Sequence, residues 1–123
     1  MNDRVSLLPD EQLDTVNENL RLIRRKKGLT FGTDAYLLAA FVRPQPGTRA
    51  VDLGSGTGIL SLLLCTANKA QSVTAVELQP VYADLTRRNA ALNGMQDRIR
   101  VCTCDVRDFG LAACGGEVGL VLS

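Results

Sequence analysis

Residues 51 to 58 read Val51-Asp52-Leu53-Gly54-Ser55-Gly56-Thr57-Gly58, three glycines within five positions. A short apolar run, Arg49 to Leu53, precedes them, and an apolar helical pattern, Thr57 to Asn68, follows. A glycine cluster between a strand and a helix lets backbone N–H groups and a helix start approach a bound nucleotide-like ligand. Gly54 permits the tight turn, Gly56 lets the backbone come close to the ligand, and Gly58 lets the helix pack close to the strand. An ordinary strand–helix turn requires fewer glycines than this.

Three ligand classes compete for the loop. A dinucleotide site wants G-x-G-x-x-G, whereas the spacing here is G-x-G-x-G and residue 59 is Ile. A P-loop wants a Lys-Ser/Thr pair after the last glycine, and Ile59-Leu60 stand there. S-adenosylmethionine has no pyrophosphate. Its methionine carboxylate and amino group would take the region of Gly54, Ser55, Gly56, Thr57 and Gly58, and an acid just before the glycines, Asp52, suits the ammonium group. Glu77 ends the next strand, where a carboxylate can accept bonds from both ribose hydroxyls. That feature is shared with NAD sites and does not separate the two ligands. Asp105, just beyond the third strand, can accept from the exocyclic amine of adenine; it also reads as a solvated loop residue or a helix cap.

The elements that must position these residues alternate regularly from residue 48. Strands are expected over Arg49–Leu53, Ser72–Val76, Ile99–Cys102 and Glu117–Leu122. Helices are expected over Thr57–Asn68 and Val81–Asn93, the second opened by Pro80 and closed by Gly94; Asp108–Cys114 reads as a weak helix or loop. Short apolar strands separated by helices imply βαβ units, right-handed crossovers and a parallel sheet. Upstream, Pro9-Asp10-Glu11 could open a short helix through Val16. Leu20–Arg24 reads as a strand, Lys26-Lys27-Gly28 as a turn and Leu29-Thr30-Phe31 as the returning strand. Thr33 or Asp34 then caps a helix over Ala35–Val42, ended by Pro44, Pro46 and Gly47.

Composition removes several chemistries. The chain has 123 residues, 46% hydrophobic, enough for one core. It has no histidine, which disfavours Ser-His and Cys-His hydrolases and His-ligated zinc. The four cysteines, Cys65, Cys102, Cys104 and Cys114, lack zinc spacing, and Cys65 and Cys102, which lie in apolar runs, read as buried, reduced residues. Cytosine C5 chemistry uses a cysteine nucleophile, commonly after proline, and no cysteine here follows one. With 14 Lys+Arg against 13 Asp+Glu, net charge points to no polyanionic partner. Only the run Arg24-Arg25-Lys26-Lys27 could touch RNA phosphates, and it also reads as a solvated turn. No signal peptide or membrane span is visible, so a cytoplasmic protein with no metal is expected.

Asp52-Leu53-Gly54-Ser55-Gly56-Thr57-Gly58, Glu77 and Asp105 resemble the cofactor motifs of class I S-adenosylmethionine-dependent methyltransferases. The segment Lys27-Gly28-Leu29-Thr30-Phe31-Gly32-Thr33-Asp34-Ala35-Tyr36-Leu37-Leu38-Ala39 resembles the bacterial N6-adenine methyltransferases that modify valine tRNA. The related glutamine-N5 release-factor and guanine-N2 rRNA methyltransferases remain open. The resemblance implies a Rossmann-like α/β sheet of order 3-2-1-4, cut after its fourth strand, behind an N-terminal hairpin and helix. It divides the chain into residues 1–47, packing on the cofactor side, and residues 48–123, the cofactor-binding domain. It makes Thr33 and Asp34 lesser cofactor contacts and tRNA the partner. The family's Asn-Pro-Pro-Tyr motif, which holds a planar amine toward the methyl group, would follow Ser123, so the catalytic residues are expected downstream and the fragment is expected to be inactive. The strand at 117–122 would then be an apolar edge open to self-association. Two further readings remain: a non-catalytic RNA-binding module, resting on the basic run, and an NAD oxidoreductase, resting only on Glu77.

Overall fold

A computed structural model of the chain describes residues 6–27, 33–43, 47–105, 107 and 120–122, with the side chains of residues 33, 34 and 122 outside that description. A hairpin comes first, β1 (Glu11–Asn17) and β2 (Leu20–Arg25), then α1 (Thr33–Phe41). The alternating part follows: β3 (Arg49–Leu53), α2 (Ile59–Thr66), β4 (Ser72–Glu77), α3 (Pro80–Leu92), β5 (Ile99–Thr103) and β6 (Leu120–Leu122).

The four strands from β3 onward form one parallel sheet in the order β5-β4-β3-β6, the 3-2-1-4 order expected from the resemblance. Its strands are short and rich in Val and Ala, and β4 is buried from Val73 to Glu77. α2 is apolar around nearly its whole circumference and buries Ile59, Leu60, Leu62, Leu64 and Cys65 against the sheet. α3 starts with Pro80 at its first turn and ends before Gly94, which takes a φ of 69°. Among the described residues β6 pairs with β3 alone, and Val121 on it is 58% exposed. Residues 108–119, where the sequence suggests a weak helix and the start of the last strand, lie outside the described residues.

The hairpin corrects the sequence reading. The segment expected to be a helix, Pro9 to Val16, contributes β1 instead, and the turn falls at Glu18-Asn19, where Asn17 Oδ1 accepts the N–H of Asn19 at 2.8 Å. The cause is tertiary. Asp14 pairs with Arg24 across the hairpin, Asp10 pairs with Arg25 at 3.0 Å, and Leu13 joins Ile23, Tyr82 and Leu85 in one apolar cluster. The returning strand expected over Leu29–Phe31 lies outside the described residues.

The α3 helix holds this hairpin with side chains that imitate a strand edge. Asn89 accepts the N–H of Ile23 at 2.6 Å and donates to its carbonyl at 2.9 Å. One turn later Asn93 accepts from Arg21 N at 3.0 Å and donates to Arg21 O at 2.8 Å. Four helical residues rise about 6 Å and two strand residues about 6.7 Å, so the two periods nearly match. Glu11 and Arg88 add a bidentate ion pair, both contacts at 2.7 Å, and the guanidinium holds the Glu11 carboxyl below its usual range.

Candidate cofactor site

The glycine loop leaves β3 at the carboxyl end of the sheet, and β4 ties it down. The N–H groups of Gly54 and Ser55 donate to Val76 O at 2.7 and 3.2 Å. Gly56 N donates to Glu77 Oε1 at 2.9 Å, and Gly58 N donates to Ser55 O at 2.8 Å. Gly54, Gly56 and Gly58 all have positive φ, at 77°, 57° and 89°. At Gly58 space is limiting as well, because a Cβ there would meet Thr86 Cγ2 at 2.9 Å. The close approach that this glycine permits is therefore to α3 rather than to the strand. At Gly54 and Gly56 a Cβ would meet nothing within 4 Å, so this part of the loop turns an open face outward.

Beneath the loop α3 acts again. Thr86 Oγ1 donates to Gly56 O at 2.8 Å and lies 3.0 Å from Ser55 Oγ. Asn89 donates to Thr57 O at 2.8 Å with the same amide nitrogen that binds Ile23 O. One buried asparagine thus joins hairpin, helix and glycine loop. The residues pointed to only by their structure here are Ser61, Thr86, Asn89 and Asn93. Their one sequence signal is spacing: positions 86, 89 and 93 share a helix face with Tyr82, so polar residues stand where an apolar stripe would be expected.

Three carboxylates stand at the carboxyl ends of three adjacent strands. Asp52 on β3 is 2% exposed, and Ser61 Oγ donates to its Oδ2 at 2.8 Å. Burial pushes the Asp52 carboxyl up to about 6, against the Ser61 hydrogen bond and with a further upward push from the charge of Glu77. Glu77 on β4 is 7% exposed; its two oxygens accept Gly56 N and Gln79 N, each at 2.9 Å. Each oxygen keeps capacity for a further donor. Asp105 follows β5, and its carboxylate is gripped by Arg107, whose Nη2 lies 2.6 Å from Oδ2, which holds the carboxyl below its usual range. A cavity of about 200 Å³ adjoins Asp52, Gly54 and Ser55, closed by Ile59, Leu60 and, from α1, Ala35 and Leu38. Thr33 and Asp34 begin α1, and their side chains lie outside the described residues.

Half of the basic run is spent within the hairpin. Arg24 binds Asp14, while Arg25 binds Asp10 and lies 5.8 Å from the Tyr82 ring centre. Lys26 and Lys27 are exposed. Cys65 is buried and its thiol is pushed up by burial, whereas Cys102 and Cys104 are half-buried, less covered than expected for Cys102. Among the described residues no group of His, Cys, Asp and Glu is arranged to hold a metal, and no helix is long and apolar enough to cross a membrane.

The model of the TRM5/TYW2 methyltransferase domain matches residues 38–120, which include the glycine loop, Asp52, Glu77 and Asp105. The chain belongs to that family. This TRM5/TYW2-type domain is S-adenosylmethionine-dependent by family. It is also similar to a tRNA1(Val) (adenine(37)-N6)-methyltransferase of Flavobacteriaceae bacterium (strain 3519-10), 30% identical over 87 residues, 71% of this chain and 38% of that protein. A ribosomal protein L11 methyltransferase of Symbiobacterium thermophilum is 31% identical over 111 residues, 85% of this chain and 36% of that one. The crystal structure of P. horikoshii TYW2 in complex with MeSAdo has a TM-score of 0.70 at 26% identity, covering 82% of this chain and 38% of that one. The N6-adenine enzymes suggested by residues 27–39 are thus relatives, while the matching family model is that of a different branch. The chain spans little more than a third of the length of these relatives.

Proposed function

We propose that this TRM5/TYW2-type domain is the S-adenosylmethionine-binding part of an enzyme that methylates an amine nitrogen of RNA, N6 of adenine in tRNA. The observation that carries the reading is the open face of the glycine loop between two buried carboxylates, Asp52 and Glu77. The donor set fits the group. Ionised Asp52 faces the ammonium beside the 200 Å³ cavity, and the Gly54–Gly58 loop, with Ser55 and Thr57 fixed from below, offers backbone without side-chain obstruction. Glu77 has one acceptor site per oxygen left for the ribose hydroxyls. Asp105 takes the adenine amine once it shares an oxygen with Arg107, and Thr33 and Asp34, the first residues of α1, serve as lesser contacts. When bound, the cofactor supplies an electrophilic methyl group; the chain's own residues hold and orient it. The exposed Lys26 and Lys27, beside Arg24 and Arg25, give tRNA a contact on the hairpin.

The N6-adenine relatives at about 30% identity support the tRNA acceptor. A second acceptor class has its own support, because the similarity to ribosomal protein L11 methyltransferases runs further along the chain, over 111 residues against 87. Transfer of labelled methyl groups by the protein in its natural full length, offered unmodified tRNA and ribosomal protein L11 separately, decides between them. Label in tRNA adenine is expected; label in the protein alone would overturn the RNA reading while leaving the cofactor site intact.

A further inference from the structure

Ser61 is a hydroxyl among apolar neighbours: the other buried residues of α2 are Ile59, Leu60, Leu62, Leu64 and Cys65. Burying a hydroxyl costs free energy unless it is bonded. A hydroxyl inside a helix can return its hydrogen to the carbonyl four residues back. Thr66 does so in the same helix, donating to Leu62 O at 2.8 Å. Ser61 takes another course. The carbonyl four residues before it, Thr57 O, accepts Asn89 at 2.8 Å, and Ser61 Oγ donates across to Asp52 Oδ2 on β3 at 2.8 Å. We infer that Ser61 is a positioning residue for the cofactor: its hydroxyl holds the Asp52 carboxylate ready for an ammonium group in the adjoining cavity. The inference rests on the reading above that this site seats S-adenosylmethionine.

Asp52 lines the cavity of about 200 Å³, with Ile59 and Leu60 from the first turn of α2, whereas Ser61 is not part of that lining. Ser61 therefore acts through Asp52. An ionised carboxylate has about four acceptor positions, so the Ser61 bond leaves room for a ligand donor. The loop spends its own donors: the N–H groups of Gly54, Ser55, Gly56 and Gly58 all donate within the protein. The charged end of a ligand in the cavity is thus met by Asp52. Burial and the charge of Glu77 on β4 both disfavour the ionised form of Asp52, and Ser61 opposes them with its hydroxyl and its backbone N–H. From α1 the cavity receives only Ala35 and Leu38 among the described residues, and β6, Leu120–Leu122, contains no titratable residue.

The Asp52 carboxyl sits at about 6. Without the Ser61 hydroxyl it moves higher, so less of it is ionised at neutral pH and the ligand ammonium loses its counter-charge. Raising the pH restores the charge, so the loss shrinks toward the alkaline side. A serine that only packed helix against sheet would cost the same at every pH, and its cost would not depend on whether residue 52 can ionise.

The test is S-adenosylmethionine calorimetry on the protein in its natural full length and on its S61A, D52N and S61A/D52N variants, in steps between about pH 5.5 and 8.5. S61A is expected to weaken binding about tenfold at neutral pH, the scale of one hydrogen bond to a charged group. The pH at which affinity falls should move up by about one unit, and most of the loss should be recovered at the alkaline end. In the D52N background the same change should alter affinity by less than about twofold. Unchanged affinity in a folded S61A, a loss of one size at every pH, or an equal loss in both backgrounds would overturn the inference. If D52N binds too weakly to titrate, the pH dependence of S61A decides alone. Should S61A fail to fold, the parent still answers. Its Ser61 amide resonance should titrate with the Asp52 carboxyl carbon at one midpoint and should shift when S-adenosylmethionine is added; an amide indifferent to both would overturn the inference. A parent that binds no S-adenosylmethionine overturns both this inference and the cofactor reading. A parent that binds it beside a silent S61A overturns only the role of Ser61.

Discussion

The two ends of the parallel sheet are built oppositely. At the carboxyl end three acids, Asp52, Glu77 and Asp105, follow three adjacent strands around a loop of positive-φ glycines. At the amino end three arginines, Arg49, Arg98 and Arg100, surround two hydroxyls. The acidic end is rigid by construction: Asp52 and Glu77 are buried and bonded, and α3 braces the loop through Thr86 and Asn89. Fixed carboxylates of this kind suit a small cationic ligand, because they need not reorganise to meet it. At the amino end Arg98 is anchored on two backbone carbonyls, Gln71 O and Ala70 O.

If the acidic end depends on bracing from α3, the largest effect should come from a residue that touches no ligand. Asn89→Ala removes the groups that satisfy Ile23 N, Ile23 O and Thr57 O, all buried. Leaving such groups unpaired costs about 1–3 kcal/mol each, and partial rehydration reduces the sum, so a loss of about 3 kcal/mol in unfolding free energy is expected from denaturant titration. Cofactor affinity should fall with it, and tRNA affinity should change little. A loss below about 1 kcal/mol would show that the brace is not needed.

A smaller effect separates stability from function at Asp52. Its folded-state pKa, about 6, lies above the ordinary 3.8. The folded protein therefore binds more protons than the unfolded chain between those values, and Asp52's contribution to stability falls as pH rises from about 4 to about 6. Binding of a cationic ammonium needs the ionised form and runs the other way. Affinity for S-adenosylmethionine should hold above pH 6 and drop by up to about tenfold per pH unit below it. Asp52→Asn keeps the shape and the Ser61 bond, so at pH 7 it should raise the melting temperature while weakening the cofactor and flattening its pH profile. A variant with unaltered affinity would remove Asp52 from the site.

How much of this was legible follows from where the stabilising contacts lie along the chain. Strands β3, β4 and β5 and the helices between them show in the sequence because each buries a local apolar pattern. The sheet order follows from the class of fold. β1 was misread because Glu11-Gln12-Leu13-Asp14-Thr15-Val16 carries little apolar alternation, and what holds it is remote: Arg88 on Glu11, and Asn89 on the neighbouring strand. The same holds in the site. Asp52 and Glu77 were readable from their place beside glycines and at a strand end. Ser61, Thr86 and Asn89 were not, since a hydroxyl or amide on a buried helix face announces its partner only once the helices are packed. The basic run was legible as charge, but not the two acids, Asp10 and Asp14, that neutralise its first half.

On the reading proposed above, the acidic end seats S-adenosylmethionine and not a dinucleotide. Calorimetric titration of the same protein with S-adenosylmethionine and with NAD at pH 7.5 tests it most directly. Saturable one-to-one binding of S-adenosylmethionine is expected, with NAD affinity at least about tenfold weaker, a difference of about 1.4 kcal/mol or more. Equal or tighter binding of NAD would contradict it.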